Sequence, residues 1–201
     1  MVPLSTHQSP LASRDAFVAP SAVAAGKVEV WDRASVWYGT TLRADGEAVI
    51  RVGAYSNVQD GSVIETAKGK DHDGSVIIGH YVTIGHSVFV QGATIEDEAL
   101  VGIGAVMGPG SVLGSQSILG AGAVLAPGER VPSGELWVGS PARKARDLSA
   151  DERAFLRQRA IHYYDLATEH RDEFYLDGDL HVSAEAEGIP VGWKEWPSTQ
   201  A

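Results

Sequence analysis

An apolar residue returns at every sixth position of this chain, and few folds accept that spacing. From Ile95 the step lands on Val101, Met107, Leu113, Leu119, Leu125, Val131 and Trp137. Four residues after the first five stops stand Ala99, Ala105, Ser111, Ser117 and Ala123, all small. Gly follows the stop directly at Gly102, Gly108, Gly114 and Gly120. The same step runs earlier through Val18, Ala24, Val30, Val36 and Leu42, with Ala22, Val28, Ala34 and Thr40 in the small slot. It resumes at Val52, Val58 and Ile64, and again at Ile78, Ile84 and Val90; one five-residue step joins Val90 to Ile95.

A period of six fits neither the 3.6-residue turn of a helix nor the two-residue alternation of a simple strand. It fits a coil with three short flat sides of six residues each. The apolar residue points inward on each side. The small residue sits near the corner, where a larger side chain would crowd the turn, and Gly serves turn positions that a Cβ would strain. Stacked coils pair as parallel strands, which makes the expected fold a hexapeptide parallel β-helix, an all-β solenoid. The 23 Gly among 201 residues and the low aromatic content of 7% suit a repeat made of small turns.

Two segments break the period. Thr66–Val76 (TAKGKDHDGSV) is polar and Gly-containing and reads as a loop ejected from one coil. After Pro141 the hexapeptides stop, and Ser149-Ala150-Asp151-Glu152 forms a capping box. Leu156, Ala160, Tyr163, Ala167, His170 and Phe174 follow at helical spacing, so a helix is expected from about Ala150 to about Phe174, packed along the prism. The resulting division is a leader at 1–15, a β-helix at 16–147, a C-terminal α-helix at 148–175 and an irregular docking tail at 176–201. The leader has no apolar core and is no secretory signal; it is at best the remnant of an organelle transit peptide.

Composition excludes several functions. Sixteen Lys and Arg against 26 Asp and Glu give a formal net charge of −10, which argues against a nucleic-acid-binding surface. With no Cys there are no disulfides, thiolate metal sites or thiol nucleophiles. No run of 18 apolar residues is present, so no transmembrane segment is expected.

Several blocks carry a resemblance. Arg43-Ala44-Asp45, Asn57-Val58-Gln59-Asp60-Gly61-Ser62 and Val82-Thr83-Ile84-Gly85-His86 resemble the signature blocks of the γ-class carbonic anhydrases. Val131-Pro132-Ser133-Gly134-Glu135-Leu136-Trp137, Gly139-Ser140-Pro141-Ala142-Arg143, the helix text Ile161–Ala167 and the end Val191–Gln200 are similar to the anhydrase-like subunits of mitochondrial respiratory complex I in plants and algae. The resemblance implies a left-handed β-helix and a trimer. It also implies zinc held by three His at subunit interfaces, two from one chain and one from its neighbour. It places the first ligand at Glu65, the second at His86 and the third at Gln91, so one ligand of three is kept. It implies that Arg43, Asp45 and Asp60 bridge subunits, that Gln59 stands where zinc-bound water is oriented, and that Tyr163 is a helix Tyr near that site. Where archaeal-type members have a proton-transfer Glu, this chain has Gly46, with Glu47 beyond it. His162 is assigned no chemistry. His72 and His80 are remote candidates for replacement ligands.

The spacing itself supports that allocation. Glu65 and Gln91 each follow an inward residue, Ile64 and Val90, and are three hexapeptide steps apart once the loop is excised. They should therefore stack on one face, with His86 on the adjacent one. Zinc accepts a carboxylate, but Gln91 offers only a neutral amide oxygen. The chain's own degenerate site should bind no cofactor, although His86 is a candidate donor to the zinc of a neighbour that retains the other two His. The expected function is a non-catalytic, structural γ-carbonic anhydrase-like subunit. It would join related chains in a trimer attached to the membrane arm of respiratory complex I, on the matrix side of the mitochondrial inner membrane. The alternatives are an active zinc carbonic anhydrase and, less well supported, a hexapeptide-repeat acyltransferase with His86 imitating its base.

Overall fold

The computed structural model describes residues 10–68, 73–176 and 194–195. The chain winds as a parallel β-solenoid of seven coils with three faces. The first face runs from strand Leu11–Ala12 to Arg130–Val131, the second from Phe17–Val18 to Glu135–Val138, and the third from Val23–Ala25 to Val124–Leu125. Every pairing between coils is parallel; the antiparallel strand Arg143–Asp147 then closes the second face.

The six-residue stops are the core. Val30, Val36, Leu42, Val52, Val58, Ile64, Ile84, Val90, Ile95, Val101, Met107, Leu113, Leu119, Leu125 and Val131 are all fully buried, in three ladders of like side chains. Each such Leu or Ile contributes about 1.5–3 kcal/mol by leaving water. A second inward residue precedes each stop by two positions and turns the corner. It is small on most coils, but the first face also seats Ile50 and Val76 there. At Ser56 and Ser62 the hydroxyl bridges two coils, whereas Ser117 Oγ bonds Gly114 O in its own coil. Ser56 Oγ donates to Gly79 O at 2.6 Å and accepts from Val82 N at 2.9 Å; Ser62 Oγ does the same with Gly85 O and Val88 N.

The corner between the first and second faces departs from the Gly rule. Arg33, Tyr55, Tyr81, Glu98 and Gln116 occupy it in successive coils with φ of 53–59°, where an L-residue is strained. The helix explains them. It spans Ala150–Leu176 and runs back toward the first coil, laying Leu156, Ala160 and Ala167 on the second face. Arg157 sits 3.9 Å over the Tyr81 ring and bonds Glu98, Tyr55 stacks on Tyr81 at 4.8 Å, and Arg33 lies over Tyr55. Along its other flank Tyr163 meets Trp37 edge-on, and His170 Nδ1 lies 2.9 Å from the Tyr38 hydroxyl. The capping box forms as expected: Ser149 N donates to Glu152 Oε2 at 2.9 Å, and Glu152 N to Ser149 Oγ at 3.2 Å.

Some boundaries shift. Within the segment assigned to a leader, Leu11–Ala12 forms a strand beside Val28–Val30, because the first coil needs a partner on that face. Within the tail, Lys194–Glu195 pairs in parallel with Leu11–Ala12. The helix extends to Leu176, two residues beyond the expected end. The ejected loop leaves through a neck closed by Ala67 N donating to Gly74 O, and Val76 already belongs to a strand. Residues 1–9, 69–72, 177–193 and 196–201 lie outside the described residues, and His72 with them.

Candidate functional site at the third face

The third face carries two outward columns. One is apolar apart from Thr41: Val23, Thr41, Val63, Phe89, Val106 and Val124 stand in register. The other is polar: Arg43, Glu65 and Gln91 lie side by side on adjacent strands. Thus Glu65 and Gln91 stack on one face, as the spacing requires. Their chemistry is now explicit. Gln91 Nε2 donates to Glu65 Oε1 at 2.7 Å, and Arg43 donates to Glu65 Oε2 at 2.6 Å. Arg43 also lies 3.2 Å from Asp45, so its charge is shared between two carboxylates of its own chain while half its side chain remains exposed.

His86 stands on the neighbouring corner, between the second and third faces. The hydrogen bonds Gly61 N to Tyr38 O, Ser87 N to Asp60 O, Gly104 N to His86 O and Gly122 N to Ile103 O stack Tyr38, Asp60, His86 and Ile103 in one column. His86 Nδ1 lies 3.0 Å from Asp60 Oδ2. That contact orients the ring and leaves Nε2 as the free nitrogen, the arrangement in which a carboxylate holds a metal-ligating imidazole. The side chain is 44% exposed, open to a second molecule.

Gln59 is buried and donates from Nε2 to Asn57 Oδ1 at 3.1 Å; Asn57 in turn donates to Thr83 Oγ1. Sequence reasoning missed this buried amide network, whose only sign was polar residues at outward positions of a covered face. Tyr163 is placed against Trp37, in the coil below Gln59. His162 is exposed on the helix. His80 is committed elsewhere: Nδ1 accepts from Ala54 N at 2.9 Å and the ring lies 5.6 Å from Trp31.

A zinc ion does not fit the residues of one chain. Both oxygens of Glu65 already accept hydrogen bonds, one of them from a guanidinium that a dication would have to displace. Gln91 can present only an amide oxygen once its nitrogen is engaged. His86 belongs to another face. Among the described residues no three His, Asp or Glu converge in a ligating group.

No family model matches the chain. It is 46% identical over 178 residues to γ-carbonic anhydrase-like 1, a mitochondrial protein of Arabidopsis thaliana, covering 88% of this chain and 70% of that one. It is 39% identical over 155 residues to the probable carbonic anhydrase of Methanocaldococcus jannaschii, covering 77% of this chain and 94% of the relative. The chain belongs to the γ-carbonic anhydrase family. It spans 60–65% of the length of the three Arabidopsis γ-carbonic anhydrases that it matches at 40–43% identity. Among solved structures, a hexapeptide transferase family protein from Anaplasma phagocytophilum superposes with a TM-score of 0.74 at 38% identity, over 80% of this chain and 92% of that one. Within the γ-carbonic anhydrase family, then, this chain pairs a corner His beside Asp60 with a third-face row that satisfies itself.

Proposed function

We propose that this chain is a non-catalytic γ-carbonic anhydrase-like subunit, and that it joins two related chains in a trimer. We place that trimer in mitochondria, on the matrix side of respiratory complex I. The observation that carries the reading is the Arg43–Glu65–Gln91 row: at the two positions where the resemblance calls for imidazoles stand a carboxylate and an amide, closed on each other and on the Arg43 guanidinium. Without a tightly held zinc no metal-bound water near pKa 7 is available to hydrate carbon dioxide. The mitochondrial assignment is supported by the Arabidopsis relatives, which are mitochondrial proteins.

His86 is not part of that closed row. Oriented by Asp60 and open on Nε2, it is a donor to the zinc of a neighbour that keeps both other His. The test is His86→Ala in an assembled mixed trimer, with zinc counted by elemental analysis. Losing even a residue that only positions a ligand costs about 10–100-fold in affinity, so loss of the ligand itself should empty one site. An unchanged zinc count in an intact trimer would remove the donor role. Stoichiometric zinc and carbon dioxide hydration by the purified chain alone would overturn the non-catalytic reading in favour of an active anhydrase.

A further inference from the structure

A solenoid needs a cap at each end, because its outermost strands carry backbone groups that no further coil can pair. At the far end of this prism the antiparallel strand Arg143–Asp147 covers the second face. At the near end the faces differ. On the first face Lys194–Glu195 pairs outside Leu11–Ala12. On the other two, Phe17–Val18 and Val23–Ala25 are the last strands of their sheets among the described residues. Phe17 N donates to Ala34 O at 2.9 Å and Ala19 N to Val36 O at 2.8 Å, both in the second coil. Successive amides of a strand point to opposite neighbours, so the Val18 N–H faces away from that coil.

The sequence after Glu195 reads as one more side of the coil. Glu195 is in register with Ala12 and, through it, with Val30, which is the slot of the six-residue stops. In the run Trp196-Pro197-Ser198-Thr199-Gln200-Ala201, Pro197 lies two residues after that slot, Thr199 falls in the small slot and Ala201 at the next stop. The first coil has the same order after Val18, in Ala19-Pro20-Ser21-Ala22-Val23-Ala24. Pro109 after Met107 and Pro127 after Leu125 keep the spacing too, and all three of these Pro stand in turns between strands. Pro has a fixed φ and no N–H to donate, so it suits the corner and would interrupt a ladder. Thr is accepted in the small slot elsewhere, at fully buried Thr40. The same count sets Gln200 and Ala201 beside Phe17 and Val18.

We propose that residues 196–201 continue the coil that Lys194–Glu195 begins, add a parallel strand outside Phe17–Val18, and so cap the open end of the prism. The donor is the same chain, because the helix carries it to this end: Ala167 and Leu166 pack in the cluster of Phe17 and Trp37, and His170 meets Tyr38. The added strand gives the outward Val18 N–H a carbonyl to bond. It also withdraws the second-face edge from pairing with any other chain.

Hydrogen exchange followed by mass spectrometry tests this on the full chain, a form ending at Glu195, Thr199→Trp and Thr199→Ser. Removing residues 196–201 should speed exchange across Phe17–Val18 about tenfold or more and leave Ile84–Leu119 at the full-chain rate. Thr199→Trp is too large for the corner and should act like the removal, whereas Thr199→Ser should exchange like the full chain. Circular dichroism checks that each form keeps its helix; if the shortened form loses its fold, the two Thr199 variants carry the comparison. Unchanged exchange across Phe17–Val18 in the folded shortened form overturns the cap. A Thr199→Trp chain that exchanges like the full chain overturns the register. Mixing the shortened form with isotope-labelled full chain should leave the shortened form unprotected. Protection that returns on mixing would mean that a second copy supplies the strand, and would overturn the cap from within the chain.

Discussion

Glu65 decides what the third face can do, because its two oxygens are claimed from opposite sides. Replacing it by His removes the acceptor for Arg43 and Gln91 but supplies only one imidazole beyond the distant His86. Replacing Gln91 alone leaves the Arg43–Glu65 pair closed. Three-nitrogen coordination needs all positions filled, so Glu65→His with Gln91→His should raise zinc affinity far more than the sum of the single changes. Competition titration with a chromophoric chelator reads this out, and additive single effects would contradict it. A steric limit acts on the same scale. A Cβ on Gly102 would lie 2.4 Å from Ala121 N and 2.6 Å from Gly120 C, both backbone atoms of the next coil. Gly102→Ala should therefore destabilise the chain by about 1–3 kcal/mol, the usual range for overpacking. A melting temperature equal to wild type would count against this tight stacking.

The helix is fastened at its start by charge and at its end by rings. Arg146 donates two hydrogen bonds of 2.7 Å to Glu152, and Ser149 N adds a third. Together, the guanidinium first and the backbone donor second, they lower the Glu152 carboxyl from the ordinary 4.5 to about 2. A depressed carboxyl contributes stability above its unfolded value and loses it as pH falls toward the folded one. Glu152→Gln should thus melt below wild type at pH 7, with the gap closing between about pH 4.5 and pH 2; a gap that stays constant would mean that the charge plays no part. The capping box was legible in the sequence because its two residues are local and act on each other. The docking column was not. Arg33, Tyr55, Tyr81 and Glu98 are 17–26 residues apart and in unfavourable backbone conformations, and only the helix, far along the chain, accounts for their side chains. For the same reason Glu65 and Gln91 could be stacked from the hexapeptide count, whereas the intrachain bond from Arg43 could not. The count fixes which strands adjoin, but not which of several exposed partners a long flexible side chain reaches.

Along the whole molecule the solenoid is quasi-one-dimensional, so each coil's stability comes from its own core and its two neighbours. The middle coils have both neighbours and fully buried Ile, Leu, Val and Met. The first coil has one coil neighbour and an interior of Ala12, Ala16, Val18, Ala22 and Ala24, all only partly buried. Less apolar area leaves water there, and the strands Phe17–Val18 and Val23–Ala25 each end their sheet. What offsets this weakness is the far end of the chain: the helix returns to the first coil, where Phe17 and Trp37 pack with Tyr163, Leu166 and Ala167, and His170 bonds Tyr38. Hydrogen exchange should therefore be graded along the axis, with the amides of Phe17–Ala25 opening fastest and those of Ile84–Leu119 slowest. Trp37→Ala removes the ring shared by Phe17, Tyr163 and His170, and should cost about 3–5 kcal/mol, the usual loss for a large buried aromatic. In that variant exchange should quicken in the first two coils and in the last turns of the helix together, while the middle coils stay protected. Mass-spectrometric exchange on both proteins measures this directly. Equal protection in the first and middle coils of wild type, or a Trp37→Ala effect spread evenly over all seven coils, would show that the prism opens as one unit rather than from its end.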